Sequence, residues 1–285
     1  MPSELPSFDL VVATVDRVEQ PTRLLASLER QSHSRFRVLL ADQNEDDRLA
    51  ELQRKHGSLE IERLHAPRGL SRARNAALEH VRADLVAFPD DDCVLPDDVL
   101  ERVARRFADD GELGGLTGRA VDPNGQSGPS WARTAATLTR DNLWNRAISF
   151  TIFLRSSTAK AVGDFDAELG LGAGTPWSSG EEIDFLIRAL DRGARIEYDP
   201  GIVVVHDEPS FSASALRMIG ARDGASIGYI LRKHRYPRSW VARMLLRPAG
   251  GALLAVLRND RRRAGFHVST LRGRLRGYRR AATAF

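Results

Sequence analysis

The order of apolar and polar positions divides the first hundred residues into alternating strand-like and helix-like segments. Four segments have the apolar, β-branched character of strands: Phe8–Val15, Phe36–Asp42, Leu59–His65 and residues 83–90. Helical patterns separate them, the clearest being Gly69–Val81, whose alanines recur on one face. This alternation predicts a parallel sheet with right-handed crossovers, in which ligands bind beyond the carboxyl ends of the strands.

The chain is less regular after its first 110 residues. A Gly- and Pro-containing stretch, Asp122–Ser130, predicts a flexible loop. Beyond Pro209 the sequence becomes Arg-rich and helical. Between these landmarks the pattern predicts strands at 114–121, 148–154 and 195–206, and a helix at 180–193.

Composition limits the class of protein. A chain of 285 residues can hold one large domain or two small ones. The single cysteine, Cys93, excludes an intramolecular disulfide framework and is typical of a reducing compartment. The N-terminal stretch has no basic segment of the kind that opens a signal peptide, and no apolar run reaches the roughly 20 residues that cross a bilayer. We therefore expect a cytoplasmic protein, either soluble or peripheral at the inner face of the membrane.

The net charge of +4 hides a strong asymmetry along the chain. Residues 232–280 contain fifteen Lys and Arg but a single acid, Asp260. A basic tail on an acidic body favours a polyanionic partner, such as anionic lipid, nucleic acid or the acidic face of another protein. The apolar stretch Pro248–Leu257 is expected to lie on a membrane rather than to span it. The alternative is a helical pair that packs on the rest of the chain; nucleic acid is the least favoured partner.

Three consecutive aspartates, Asp90, Asp91 and Asp92, follow the apolar run Leu85–Phe88. An acidic run is often only a solvated turn. At the end of a buried strand, however, clustered carboxylates are stabilised most simply by a divalent cation. Oxygen ligands of this kind suit Mg²⁺ or Mn²⁺, which commonly bridge one or two carboxylates to a substrate diphosphate.

An arginine-rich helix start lies one strand before these aspartates. Arg68, Arg72 and Arg74 precede or open the helix predicted at Gly69–Val81. Free backbone N–H groups and the helix dipole favour an anion at such a position, and arginine can bind phosphate oxygens in pairs. A solvated basic helix face is the alternative.

Two further groups of polar residues are candidates for chemistry. Glu181, Glu182 and Asp184 open the helix predicted at 180–193, where Glu181 and Asp184 share a face and Glu182 points elsewhere. These acids either complement the helix dipole or supply a general base for an acceptor hydroxyl. His206 ends an apolar run, where it is either structural or a metal ligand.

Together these segments resemble an inverting glycosyltransferase of family 2, with the GT-A fold, over roughly Phe8 to Pro209. The stretch "VVATVDR" resembles the first strand and turn of that family, which hold the nucleotide. The resemblance implies that Thr14, Val15, Asp16 and Arg17 bind the nucleotide-sugar. It also implies a nucleobase contact for Asp42, which ends the segment "LLAD".

The segments "GLSRARNAAL" and "FPDDD" resemble the family's diphosphate-binding segment and its D-x-D motif. The resemblance implies that Arg74 and Asn75 lie by the diphosphate, that Asp90 lies near the ribose with Asp91 beside it, and that Asp92 binds the metal.

The acceptor side of the resemblance runs from "VGDFDAELGLGAG" to "VVVH". It implies that His206 is a second metal ligand. The family pattern has Glu-Asp where this chain has Glu181-Glu182, so the implied base is Glu182, with one more methylene than usual; Glu181 and Asp184 are the other acids of this group. A further departure is Ala41, which stands where many members carry the first acid of a pair.

The resemblance implies a hexosyltransferase that uses Mn²⁺ or Mg²⁺ and inverts the anomeric carbon in a single displacement. The donor would be a nucleoside-diphosphate sugar, with UDP- or dTDP-sugars favoured because Asp42 can accept the N3–H of uracil or thymine. The acceptor would be a glycan or lipid-linked glycan in cell-surface polysaccharide synthesis. One alternative is a sugar-phosphate nucleotidyltransferase. That class usually carries a Gly-rich loop after its first strand, whereas "ATVDRVEQP" contains no glycine. The other alternative is a polyanion-binding module without catalysis.

The same resemblance predicts three parts of the chain. Residues 1–110 would be the nucleotide-sugar-binding half of a GT-A domain, residues 111–209 its acceptor-binding half, and residues 210–285 a basic helical extension.

Overall fold

A computed structural model describes residues 4–128, 130–207 and 211–281. Within these ranges it contains one mixed sheet, ordered β3-β2-β1-β4-β8-β6-β9-β5, with β7 paired to β9. The strands are β1 (Phe8–Thr14), β2 (Phe36–Asp42), β3 (Ile61–His65), β4 (Leu85–Ala87), β5 (Cys93–Val94), β6 (Gly115–Val121), β7 (Ala136–Thr137), β8 (Ile152–Arg155) and β9 (Ile196–His206).

The α-helices alternate with strands in the first part of the chain and follow one another at its end. They are α1 (Glu19–Leu28), α2 (Ala50–Lys55), α3 (Leu70–Leu78), α4 (Val99–Asp109), α5 (Ser156–Val162), α6 (Glu181–Asp191), α7 (Ala213–Lys233), α8 (Arg238–Leu257) and α9 (Arg261–Arg280). The predicted α/β fold with a helical C-terminal extension is confirmed.

The described residues form two compact units. The first takes the chain up to Phe165 and again from Phe185 to residue 207, and it contains the whole sheet. The second takes Asp166–Asp184 and residues 211–281. The division into donor half, acceptor half and extension stays a prediction, and its boundary at 209–210 lies outside the described residues.

Parallel pairing in the first unit brings strand ends together. β1 pairs with both β2 and β4 in parallel, and β2 pairs with β3 in parallel. Thr14 is the register partner of Asp42, so the last residues of β1 and β2 lie side by side. Leu10 of β1 and Val38 of β2 are fully buried in one hydrophobic core with Leu24 of α1 and Phe107 of α4. Burying each such side chain contributes about 1.5–3 kcal/mol, which fixes the sheet edge rigidly.

Several predicted strands differ from those observed. β4 covers only Leu85–Ala87, because the chain leaves the sheet at Phe88 and turns into the aspartates. The run predicted at 148–154 begins as a 3₁₀ turn, Ser149–Thr151, before β8. The stretch 195–206, predicted to form one or two short strands, forms one long strand, β9, with an irregularity of register against β6. The predicted loop at 122–130 has neither helix nor strand in its described residues, and residue 129 lies outside them.

The chain leaves the first unit at Phe165 and returns to it at Phe185. These two rings stack on each other, with centroids 4.3 Å apart and planes 28° apart. Both also contact Phe88 edge-on, at centroid distances of 5.1 and 6.2 Å. The aromatic cluster therefore joins the exit and return points of the chain to the segment that carries the aspartates.

In the second unit, α7 and α9 pack backbone against backbone. A Cβ atom at Gly228 would clash with the carbonyl of Arg274, and one at Gly277 would clash with the carbonyl of Ala225. Only glycine permits this approach, so the small residues of both helices are a packing requirement.

Helix α8 exposes a row of large apolar side chains: Leu246, Leu253, Leu254, Val256 and Leu257. Judged by length and composition alone, it is a helix that could cross a membrane, and 22% of its most apolar window is buried. The sequence pattern predicted no stretch long enough to cross a membrane. The structure differs because the helix does not begin at Pro248: it runs from Arg238 to Leu257, which is 20 residues.

Candidate functional site

The site begins where two antiparallel strands meet at the carboxyl edge of the sheet. β5 pairs with β9 so that Cys93 lies opposite His206. Asp92 precedes Cys93 and therefore lies beside the His206 ring, whose Nε2 is 3.2 Å from Asp92 Oδ1. The imidazole stacks on Phe150, with centroids 4.9 Å apart and planes 7° apart. Strand pairing and ring stacking together fix the direction in which His206 points.

Asp90, Asp92 and His206 together have the composition of a divalent-cation site. One ligand atom from each residue lies within 4.8 Å of the other two, and all three side chains are partly exposed. Two carboxylate oxygens and one imidazole nitrogen are ligands that Mn²⁺ and related ions accept. The residues therefore fit the metal that the sequence implied, and Asp90 joins the two ligands predicted.

The protonation states of this pair are coupled. The hydrogen bond with His206 lowers the pKa of Asp92 to about 2. The same contact raises the pKa of His206 above its usual value. This contact thus favours the carboxylate form of Asp92 and the imidazolium form of His206, whereas a metal-ligating histidine is neutral.

Asp91 contacts the end of β1 and the turn that follows it. Its Oδ2 accepts a hydrogen bond of 2.6 Å from the hydroxyl of Thr14, and burial raises its pKa. Arg17 donates from one nitrogen to Asp91 at 2.7 Å and to Asp92 at 2.8 Å. The guanidinium of Arg17 therefore supplies positive charge to the cluster.

Arg74 binds Asp90, the first of the three consecutive aspartates. Its side chain is 1% exposed, and it donates to Asp90 Oδ1 at 2.9 Å. Ser149 donates to the same oxygen at 3.1 Å. The guanidinium also lies 5.6 Å from the ring centroid of Phe165 and 5.9 Å from that of Phe88. Arg74 thus orients a carboxylate of the candidate cation site from within the core.

The side-chain amide of Asn75 forms two hydrogen bonds with the backbone of Phe165. It donates to the carbonyl of Phe165 at 2.9 Å and accepts from the N–H of Phe165 at 2.7 Å. Its predicted place by the diphosphate stays a prediction, as does that of Arg74.

Asp42 is buried at the end of β2 with both oxygens engaged. Oδ1 accepts from the backbone and side chain of Asn44, at 2.9 and 2.6 Å, and Oδ2 accepts from Arg63 at 2.7 Å. These bonds fix the carboxylate at the sheet edge beside Thr14. Its contact with a nucleobase stays a prediction.

The turn after β1 contains the remaining predicted donor residues. Val15 is half-buried, and Asp16 has a left-handed backbone with φ of 57°. The N–H of Asp16 donates to Asn44 at 2.7 Å, and its exposed carboxylate lies 3.2 Å from Arg68. The turn is therefore held by Asn44, which follows β2, and by Arg68, which follows β3.

Glu181, Glu182 and Asp184 belong to the second unit and open α6. Glu181 and Asp184 are buried, whereas Glu182 is half-buried and has access to solvent. Asp184 Oδ1 lies 2.6 Å from the ammonium of Lys233 and 2.8 Å from Nε2 of His234. The residues predicted from sequence therefore fall into two groups: those of the sheet edge in the first unit and these three acids in the second.

Sequence reasoning missed several partners of these residues. Asn44 and Ser149 are polar residues near the ends of predicted strands. Their position at the strand ends could have indicated that they belong to the site. Arg63, Lys233 and His234 carry no such local signal, because each meets its carboxylate through folding of distant segments.

A mixed α/β sheet whose carboxyl edge holds two carboxylates and an imidazole in reach of one cation has the arrangement of a nucleotide-sugar-dependent glycosyltransferase with the GT-A fold. The family model described as "Glycosyl transferase family 2" matches residues 9–160, more than half of the chain. The chain therefore belongs to glycosyl transferase family 2 and is a glycosyltransferase, and the nucleotidyltransferase and the inert polyanion-binding module are set aside.

Relatives identified by sequence agree with this membership, and solved structures agree with the fold. Succinoglycan biosynthesis protein ExoM from Rhizobium meliloti is 28% identical over 255 residues, covering 84% of this chain and 81% of that protein. Glycosyltransferase AglE from Haloferax volcanii is 24% identical over 221 residues, covering 74% and 70%. Mannosyltransferase PcManGT from Pyrobaculum calidifontis, in complex with GDP-Man and Mn²⁺, has a TM-score of 0.68 at 15% identity, covering 97% and 88%. TarS 1–349 from S. aureus, in complex with UDP-GlcNAc, has a TM-score of 0.59 at 18% identity, covering 95% of this chain and 91% of that fragment.

Proposed function

We propose that this glycosyltransferase moves a sugar from a UDP- or dTDP-sugar to a hydroxyl of a glycan or lipid-linked glycan, with inversion at the anomeric carbon. The observation that carries the proposal is the convergence of Asp90, Asp92 and His206 at the carboxyl edge of the sheet. Such a cluster suits a cation shared with a diphosphate, which is the leaving group of a nucleotide-sugar.

The metal is proposed to be Mn²⁺ or Mg²⁺, held by Asp92 and His206 with Asp90. The imidazole favours Mn²⁺ between these two, because Mg²⁺ prefers an all-oxygen shell. When bound, the cation would neutralise charge that develops on the departing nucleoside diphosphate. The Mn²⁺ in the PcManGT complex supports this choice.

The donor is proposed to lie along the ends of β1 and β2. Thr14, Val15, Asp16 and Arg17 would contact the nucleotide, and Asp42 would accept an N–H of the base. Asp90 and Asp91 would lie by the ribose, while Arg74 and Asn75 would lie by the diphosphate. The complex of TarS with UDP-GlcNAc supports a uridine donor, although the GDP-Man of PcManGT shows that the fold also accepts guanine.

Glu182 is proposed as the general base. It is the acid of the α6 start that is not buried, so its carboxylate can reach an acceptor hydroxyl. Glu181 and Asp184 would support it from buried positions. Removing the hydroxyl proton on the face of the sugar opposite the leaving group gives inversion in one displacement.

The acceptor is proposed to be a growing cell-surface polysaccharide or its lipid-linked precursor, in line with the succinoglycan role in the name of ExoM. The exposed leucines of α8 and the arginines around them support attachment to an anionic inner membrane surface. In this scheme residues 1–110 bind the donor, residues 111–209 bind the acceptor, and residues 210–285 approach the membrane.

A thermal-shift panel tests the proposal. UDP, dTDP and GDP are added with and without Mn²⁺ to the wild-type chain and to an Asp92→Asn variant. UDP or dTDP with Mn²⁺ should stabilise the wild-type chain most, by about 2.7 kcal/mol at a hundredfold excess over Kd. A larger effect of GDP would contradict the donor assignment, and an effect independent of Mn²⁺ would contradict the metal site.

A further inference from the structure

A cluster of polar and charged side chains around the buried Asp184 joins the start of α6 to the end of α7. Asp184, which is 0% exposed, accepts from the ammonium of Lys233 at 2.6 Å and from Nε2 of His234 at 2.8 Å. The same ammonium lies 2.6 Å from Oδ2 of Asp166. Lys233 therefore joins the first and last residues of the segment 166–184, which lies entirely in the second unit.

The sequence places both donors where a helix ends. Lys233 is the last residue of α7, and His234 is its C-cap. Two adjacent residues at a helix terminus can project to one point without competing for the same side of the helix. Cations are also favoured at a helix C-terminus, where the backbone carbonyls and the dipole are negative.

Two further contacts hold the same segment on α7. Trp177 stacks on Tyr229, with centroids 4.8 Å apart and planes 21° apart. Gly180 has a φ of 83°, and a Cβ atom there would lie 2.6 Å from the Cδ1 of Ile230. The segment is thus fixed to α7 at Asp166, Trp177, Gly180 and Asp184.

We propose that Lys233 and His234 are positioning residues for sugar transfer, acting through Asp184 on Glu182. Asp184 lies two residues after Glu182 in the first turn of α6, so the two share one rigid piece of backbone. A buried carboxylate that is held by the ammonium of Lys233 and the imidazole of His234 cannot shift without breaking these hydrogen bonds, and the bond to the ammonium is charge-assisted. The inference rests on the proposed role of Glu182 as the base.

The proposal gives the C-terminal helices a second task. α7 would be needed for turnover itself, in addition to any part in membrane attachment. It also gives Asp184 a role distinct from that of Glu182, since Asp184 holds the turn in place while Glu182 contacts the acceptor.

Conservative and disruptive substitutions at one position separate positioning from mere folding. His234→Leu removes the donor to Asp184, whereas His234→Gln keeps an N–H at a similar reach. Arg222→Met is the matched control, because Arg222 forms an exposed ion pair with Asp223 on the same helix. Each variant is assayed for Mn²⁺-dependent release of UDP from a panel of UDP-glucose, UDP-galactose and UDP-N-acetylglucosamine, together with calorimetric UDP binding and thermal melting.

We expect His234→Leu to lower kcat by roughly tenfold to a hundredfold, since a displacement of about 1 Å in a reacting group has effects of this size. The donor KM and UDP binding should stay within about twofold, because the donor residues lie in the first unit. His234→Gln should recover most of kcat, and Arg222→Met should behave as wild type. Lys233→Met is the second test and should give the same split between kcat and KM.

Equal kcat values for wild type, His234→Leu and Lys233→Met would overturn the proposal. So would a loss in His234→Leu that His234→Gln does not recover, because the hydrogen bond to Asp184 would then not be the cause. Glu182→Gln, assayed alongside, distinguishes the two levels of inference. If Glu182→Gln is active, the base assignment is wrong and the positioning proposal falls with it; if only the His234 and Lys233 variants keep full activity, the base assignment stands and the positioning proposal alone is wrong.

Discussion

One nitrogen of the Arg17 guanidinium lies 2.8 Å from Oδ2 of Asp92, a carboxylate that also lies within hydrogen-bonding distance of His206. The same nitrogen is 2.7 Å from Asp91. A side-chain cation thus stands against a carboxylate that fits a metal ion. A divalent cation and the Arg17 guanidinium would compete for this oxygen, and Arg17 is exposed enough to turn away when displaced.

The competition predicts an unusual gain on mutation. Replacing Arg17 with Gln should tighten Mn²⁺ binding to the nucleotide-free chain by roughly threefold to tenfold, since a like charge is removed from the site. Calorimetric titration with Mn²⁺ measures this change. Arg23→Gln is the control, because Arg23 pairs at the surface with Asp207 at 3.3 Å. Unchanged or weaker Mn²⁺ binding in Arg17→Gln would show that the guanidinium does not compete.

Removing the metal-site carboxylate should abolish transfer. Asp92→Asn should lose at least about a hundredfold in turnover and most of the Mn²⁺ dependence of UDP binding, because the neutral amide is a poor ligand for a hard cation. Asp97→Asn, at an exposed carboxylate paired with Arg30, serves as the control. Near-normal turnover in Asp92→Asn would contradict the D-x-D assignment.

The acids of α6 should differ in what their loss affects. Glu182→Gln should bind UDP with Mn²⁺ normally and lose turnover, with little change in stability, because this side chain is half-buried. Asp184→Asn should instead lower the free energy of unfolding by about 3–5 kcal/mol, since it breaks a buried charge cluster. Urea unfolding and UDP-release assays on both variants check this division. If Asp184→Asn alone lost turnover, while keeping stability and UDP binding and while Glu182→Gln stayed active, the base would be Asp184.

The two glycine environments of the C-terminal helices allow a matched stability test. Gly228→Ala should destabilise the chain by about 1–3 kcal/mol, because its methyl group would enter the backbone of α9. Gly250→Ala adds the same methyl where no atom lies within 4 Å, and it should be neutral or stabilising by about 0.5–1 kcal/mol. Thermal melting of both variants measures this difference in stability. Equal melting temperatures for Gly228→Ala and Gly250→Ala would mean that α7 and α9 do not pack as closely as described.

The exposed face of α8 should control attachment to lipid. Leu253→Glu should weaken binding to vesicles of anionic phospholipid by about tenfold or more, because one buried leucine contributes roughly 1.5–3 kcal/mol. Leu171→Glu changes an equally apolar, exposed side chain outside α8 and should have no effect. Vesicle co-sedimentation measures both. Binding that is equal in wild type and Leu253→Glu would remove α8 from the membrane proposal.

The sequence predicted the sheet edge well because its signals are local. Apolar runs that end in Asp42 and in Asp90–Asp92 mark strand ends, and parallel strands bring such ends together. The same local signals overestimated β4, since Phe88 is as apolar as a strand residue but leaves the sheet to meet Phe165 and Phe185.

Partners from distant segments could not be predicted in this way. Nothing near Asp42 indicates that Arg63 of the neighbouring strand binds it, and nothing near Asp184 indicates Lys233 or His234. These contacts depend on register and on helix packing, which a single sequence does not specify. The unequal burial of Glu181, Glu182 and Asp184 is likewise a property of the folded unit, although their helical spacing already separated Glu182 from the other two.

Phe165 and Phe185 flank the segment 166–184, and their rings stack on each other, so the two ends of the segment are held together. The side-chain amide of Asn75 donates to and accepts from the backbone of Phe165. The start of the segment is therefore attached to α3, the helix that also contains Arg74. We therefore expect relatives to differ in the length and sequence of residues 166–180, and so in the acceptors they glycosylate, while the acids that open α6 and the donor edge of the sheet stay the same.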